Sequence, residues 1–150
     1  NNVQYLVQLE CSQLPIPPDR VSFFTAELDE FPDFISLANL SVVFIRPDLS
    51  KAGCSPTKLA ELFAMNVPVV ANTGVGDMDS IISLSVNGSA LVPDFEPSTL
   101  RAALEDVMAT TGKQIPIRAN SEVAFSLEAG TEKYRQVYAE LLGPTPRKVH

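Results

Sequence analysis

The feature that most constrains this chain is an alternation. Short β-branched or aromatic runs are separated by stretches whose apolar residues recur at helical spacing. The runs "VQYLVQL" (3–9), "RVSFFTA" (20–26), "SVVFIRP" (41–47), "VPVVA" (67–71) and "ALVP" (90–93) read as strands. Between the later ones, "DEFPDFISLA" (29–38), "PTKLAELFAM" (56–65) and "DSIISLS" (79–85) read as helices, and "PSTLRAALEDVMA" (97–109) follows the last strand. Strand then helix, repeated, predicts βαβ units and a mostly parallel sheet, a Rossmann-like α/β class. The strands are nearly continuous apolar runs, as a sheet covered on both faces requires. Beyond residue 110 the pattern changes to "IPIRANSEVAF" and then "SLEAGTEKYRQVYAELL", where Ser126 caps a helix predicted to run to Leu142.

Composition narrows the function classes. A chain of 150 residues, 45% of them apolar, is long enough for one domain with a sizeable core. The expected domain is 1–142, with "GPTPRKVH" ending in a disordered tail. A formal net charge of −7 argues against general affinity for nucleic acid or anionic lipid, so an anionic ligand must be met locally. No apolar run approaches the roughly 18 residues of a membrane span. Cys11 and Cys54 are far apart and lack metal-ligand spacing, which reads as two thiols of a reducing compartment. The one histidine, His150, lies in the tail, so nucleophile systems built on His and His-based metal sites are not expected.

In open α/β sheets the ligand crevice lies beyond the carboxyl ends of the strands. Two stretches stand there, "RPDLSKAGCSP" and "NTGVGD". In the first, Ser55 suits the N-cap and Pro56 the first helical position, which leaves the amides of Thr57 and Lys58 pointing out of a helix start. Such a start favours anions, and Lys58 in a first turn is electrostatically misplaced unless an anion joins it. Leu59, Leu62 and Phe63 form the expected buried stripe, with Glu61 on the other side. The plain alternative is a capped helix whose Lys58 and Glu61 are solvated. "NTGVGD" lacks the dinucleotide-binding spacing and is equally a strand-to-helix turn with Asp77 or Asp79 as cap. Phe23, Phe24, Phe31 and Phe34 read as core rather than as a base-stacking surface, and Arg46 and Asp48 as a surface pair.

The segment "SKAGCSPTKLAELFAMNVPVVANTGVGD" resembles the donor-binding segment of retaining glycosyltransferases of the GT-B architecture, especially bacterial enzymes of capsular and other surface polysaccharides. "LVPDFEPSTLRAALEDVM" and "FSLEAGTEKYRQVYAELL" are more weakly similar to that family's last strand with its helix and to its closing helix. The resemblance implies a C-terminal donor-binding lobe that lacks its first strand–helix unit. Its activity would be transfer of a hexose from a nucleoside diphosphate sugar to a saccharide or lipid-linked acceptor, with no cofactor or metal. It implies that Lys51, Gly53, Cys54, Ser55, Thr57 and Lys58 meet the donor's phosphates and sugar, and that Glu61 accepts from the ribose hydroxyls. Many relatives carry a glutamate where Gly53 stands here. The implied partners are the nucleotide-sugar donor and an N-terminal acceptor-binding lobe, without which this chain would be inactive. The implied place is the cytoplasm, at most peripheral to the inner membrane face. Rival readings are a nucleotide-sugar epimerase of the same architecture, which an internal histidine would favour, and a non-catalytic α/β nucleotide-binding module.

Overall fold

A computed structural model describes residues 13–14, 16–84, 88–110 and 116–143. The chain divides into two compact units, 1–31 and 32–150, where the sequence predicts one domain over 1–142. The predicted strand 3–9 and the tail from 144 lie outside the described residues. In the first unit, Pro18–Arg20 forms a 3₁₀ turn. The run 20–26, expected as a strand, has no strand pairing among the described residues. Its β-branched and aromatic composition fits a pleated surface, but propensity of that kind acts only where a neighbouring strand exists. Phe24 is 68% exposed and Phe23 is exposed too, which corrects their assignment to the core.

In the second unit the elements run α1 (Phe31–Ser36, starting at the boundary), β1 (Ser41–Val43), α2 (Thr57–Ala64), β2 (Val69–Asn72), α3 (Met78–Leu84), β3 (Ala90–Val92), α4 (Pro97–Thr110), α5 (Ile117–Phe125) and α6 (Leu127–Leu142). The fold is α/β, Rossmann-like in its repeated strand–helix order. The three strands form one parallel sheet in the order β1-β2-β3. Val42 lies opposite Val70, and Val70 opposite Ala90, so these three share one face.

That shared face is where α4 packs. Val70, Val92 and Val107 form a core cluster completed by Leu40, Ala90, Leu100, Ala103 and Leu104. By the alternation of a strand, Val69 and Ala71 point the other way, and both are fully buried. The rest of the core among the described residues comes from Ile35 of α1, Leu59, Leu62 and Phe63 of α2, Met78, Ile81 and Ile82 of α3, Ile117 of α5, and Val67 and Val75 outside these elements. β2 is therefore buried on both faces, as its apolar run predicts. β1 is not: Val42 is 50% exposed.

The helix α2 ends as its sequence allows. Asn66 takes a left-handed φ of 62°, its amide donates to the Phe63 carbonyl and the Val67 amide to the Leu62 carbonyl. This is the Schellman closure, with buried Val67 and Leu62 at its apolar contact positions. The Asn66 Oδ1 also accepts from the Arg118 amide in the first turn of α5, 3.2 Å away. Thus one residue stops α2 and caps α5, a helix the sequence pattern does not predict. Phe63 and Phe125 meet edge to face at 6.4 Å and tie those helices together. Ser126 caps α6 as expected, accepting from the Ala129 amide at 3.2 Å.

Candidate functional site

The candidate residues stand where β1 hands the chain to α2, at the carboxyl end of the parallel sheet. After Val43 the chain leaves regular pairing, yet its path is fixed. Asn72, the last residue of β2, is 2% exposed. Its Oδ1 accepts from the Ile45 amide at 2.8 Å, and its Nδ2 donates to the Ile45 carbonyl at 2.9 Å and the Thr73 carbonyl at 2.9 Å. The side chain thus continues the β1–β2 ladder for one more step, using a donor and an acceptor together as only an amide can. Nothing in the sequence pattern singles out Asn72, because the residue it grips, Ile45, is 27 positions away.

Three more contacts tie the two loops. Gly74, with φ of 83°, is backed by the Pro47 ring. Gly76, with φ of 50°, lies so close to Cys54 that a Cβ would collide with the Cys54 carbonyl. Ser55 Oγ donates to Asp77 Oδ2 at 3.1 Å. The glycines of "NTGVGD" are therefore used for backbone packing of loop on loop. The stretch is a strand-to-helix turn: Asp77 directly precedes α3, while Asp79 lies inside that helix and not at its cap, its carboxylate accepting from the Gly74 amide at 3.3 Å.

The start of α2 differs from expectation by one residue. Pro56, extended at φ −70° and ψ 105°, is the N-cap, and no side chain caps the helix. Ser55 is not the cap, because its hydroxyl is spent on Asp77, 22 residues away in sequence. Thr57 and Lys58 then occupy the first two helical positions, whose amides have no intrahelical acceptor. The Cys54 amide, implied by the resemblance as a ligand contact, donates to the Lys51 carbonyl at 3.1 Å instead.

The loop between β1 and α2 is held by Asp48. Its Oδ1 accepts from Ser50 Oγ at 2.6 Å and from the Lys51 amide at 3.0 Å. These bonds, the Ser50 hydroxyl first, hold the Asp48 carboxyl below its ordinary range. Asp48 thus closes a turn and does not pair with Arg46 as the sequence suggests. Lys51–Gly53 forms a 3₁₀ turn, and a Cβ on Gly53 would meet nothing within 4 Å. The Cys54 thiol is exposed.

Lys58 and Glu61 face each other one turn apart, with Nζ 3.4 Å from Oε2 and both side chains partly exposed. Lysine preceding glutamate is the less favourable order for a helix, and a first-turn lysine opposes the macrodipole. The Glu61 Oε2 atom is shielded from solvent and takes no hydrogen bond among the described residues, and the lysine meets it as an ion pair. Leu59, Leu62 and Phe63 are buried as predicted. A separate open hollow of about 150 Å³ lies between α2 and α5, lined by Ala60, Ala64, Arg118, Glu122, Phe125 and Ser126. It shares no residue with the candidate set.

No protein-family model, curated protein or solved structure matches this chain. The site must be judged on its own chemistry. It offers a helix start, two lysines seven positions apart and a part-exposed carboxylate paired with one of them. These can meet a ligand that is anionic at one end and hydroxylated at the other. Among the described residues, no helix is long and apolar enough to cross a membrane.

Proposed function

We propose that this chain is a nucleotide-sugar-binding lobe of a glycosyltransferase, of the kind its 50–76 segment resembles. The donor's diphosphate would lie over the first turn of α2, with Lys58 and Lys51 supplying positive charge. Glu61 would accept from the ribose hydroxyls, and a hexose would pass to a saccharide or lipid-linked acceptor held by a separate N-terminal lobe. The observation that carries the reading is the meeting of Lys58 and Glu61 at the start of α2, Nζ 3.4 Å from Oε2, a cation and a part-exposed carboxylate side by side over the open helix end. The exposed part of that carboxylate is acceptor-only and can take the two hydroxyls of a vicinal diol. The lysines and amides suffice to neutralise a diphosphate, so the site needs no divalent metal. Peripheral attachment at the inner membrane face belongs to the same reading.

Two observations favour a second reading, a non-catalytic α/β module. The Lys58–Glu61 pair and the loop-on-loop packing of Gly76 give those residues work without any ligand.

Glu61→Ala separates the two. On the glycosyltransferase reading it removes one or two hydrogen bonds to a charged acceptor, each worth about 1.5–3 kcal/mol, and nucleotide affinity falls about ten- to a hundredfold or more. Folding stability stays within about 0.5 kcal/mol, because the side chain lies off the buried stripe. Titration calorimetry with UDP, GDP, ADP and CMP, run with and without chelator and beside denaturant melts, reads both quantities. Unchanged affinity in a folded variant, or no nucleotide binding by the parent, leaves the bare module as the reading.

A further inference from the structure

We propose that Asn72 and Asp77 are positioning residues that make the loop after β2 the mount on which the start of α2 is set. The inference rests on the nucleotide-site reading for its ligand but not for its mechanics. Four contacts join the two loops in matching order along the chain: Ile45 with Asn72, Pro47 with Gly74, Cys54 with Gly76, and Ser55 with Asp77. Neither lysine and neither candidate amide takes part in them. The ends of the series differ in kind. Asn72 is buried and grips main-chain atoms on both sides of Ile45, whereas the Ser55–Asp77 bond is exposed and joins two side chains.

The chemistry of each end is specific. Aspartate at 72 keeps the shape but cannot donate to the Ile45 and Thr73 carbonyls, so it sets a carboxylate against two carbonyl oxygens. Leucine would leave the Ile45 amide without its acceptor. At 77 the requirement is narrower: an acceptor for the Ser55 hydroxyl, which asparagine also supplies. Asp77 places negative charge beside Ser55, at the end of α2 argued to receive phosphate. A residue there to attract an anion would not be acidic, which marks its role as holding Ser55. With α2 lacking a side-chain cap, this bond is what orients the residue entering Pro56.

The test compares Asp77→Ala, Asp77→Asn and Asn72→Asp in the full chain, first without ligand. Amide resonances and hydrogen exchange of Ser55, Thr57 and Lys58 report the position of the helix start directly. Asp77→Ala is expected to shift those resonances and speed their exchange while the melt hardly moves, and Asp77→Asn to restore them. Asn72→Asp is expected to perturb Ile45 and the same amides together. With UDP as probe, Asp77→Ala should weaken binding about two- to thirtyfold, with recovery in Asp77→Asn. Undisturbed Ser55–Lys58 amides in Asp77→Ala, or equal disturbance in the alanine and asparagine variants, overturns the proposal. If the parent chain binds no UDP, the ligand-free amides still decide the positioning role, and the nucleotide reading fails alone.

Discussion

β1 and β2 have nearly the same sequence character and opposite situations. "SVVF" and "PVVA" are both short apolar runs, and each leads into a loop and a helix. Yet β2 is buried at every residue, while β1 exposes Val42. The difference lies in the neighbours. β2 has a strand on each side and α4 over one face, whereas β1 pairs only with β2 among the described strands. The loops repeat the contrast: Gly76 after β2 is pressed against Cys54, and Gly53 after β1 has open space around it. Burial in this sheet is a property of position in the strand order, and apolar composition alone does not fix it.

The strongest way to break the comparison is Gly76→Ala. A left-handed φ and a collision with main chain together should cost about 2–4 kcal/mol, whereas Gly53→Ala should stay within about 0.5 kcal/mol. Denaturant melts of the two variants check this, and similar losses would show that the loops are equally constrained. Next comes Val70→Ala against Val42→Ala. Losing two buried methyl groups and leaving a cavity should cost about 2–3 kcal/mol at 70, and below about 1 kcal/mol at half-exposed 42. Equal costs would mean that the outer face of β1 is covered in solution.

The smallest effect belongs to Asp48, in the loop after β1. Its carboxyl is lowered by bonds from Ser50 and Lys51 that exist only in the folded loop. A depressed folded value means that the contribution is fully present above the ordinary carboxylate range, near pH 4, and is lost as the pH falls through the folded value. The side chain is fully exposed, so the consequence should be local. The Ser50 and Lys51 amide shifts should titrate together below about pH 4 while those of β2 stay fixed. A transition of those amides above that range would reverse the sign.

What the sequence made legible follows from how local each determinant is. The strand–helix order from 41 to 110, the buried stripe of α2 and the Ser126 cap all depend on residues within a turn or two, and all appear. The helix α5 was not legible because "IRANSEVAF" mixes β-branched, polar and apolar residues. Its supports are tertiary: the Asn66 cap, the burial of Ile117 and the ring of Phe63. Ser55 misleads for the same reason. Next to Pro56 it has the form of an N-cap, but an acceptor 22 residues away claims its hydroxyl. At the site, the spacing of Lys58 and Glu61 could be read from the sequence, whereas their ion pair and the mount beneath them could not.

The Asn72 amide has a consequence on the timescale of opening. Ile45 lies beyond the regular strand, where a main-chain N–H would ordinarily trade its proton with water through small local fluctuations. Here its acceptor is a buried side chain whose Nδ2 also donates to the Ile45 carbonyl, holding the same residue from its other side. Releasing that one proton requires Asn72 to let go of it at the end of β2, which loosens a contact between residues 27 positions apart. The Ile45 amide is therefore expected to exchange as slowly as the amides of β2 and not at the rate of the loop around it, so an irregular residue would keep the clock of the sheet.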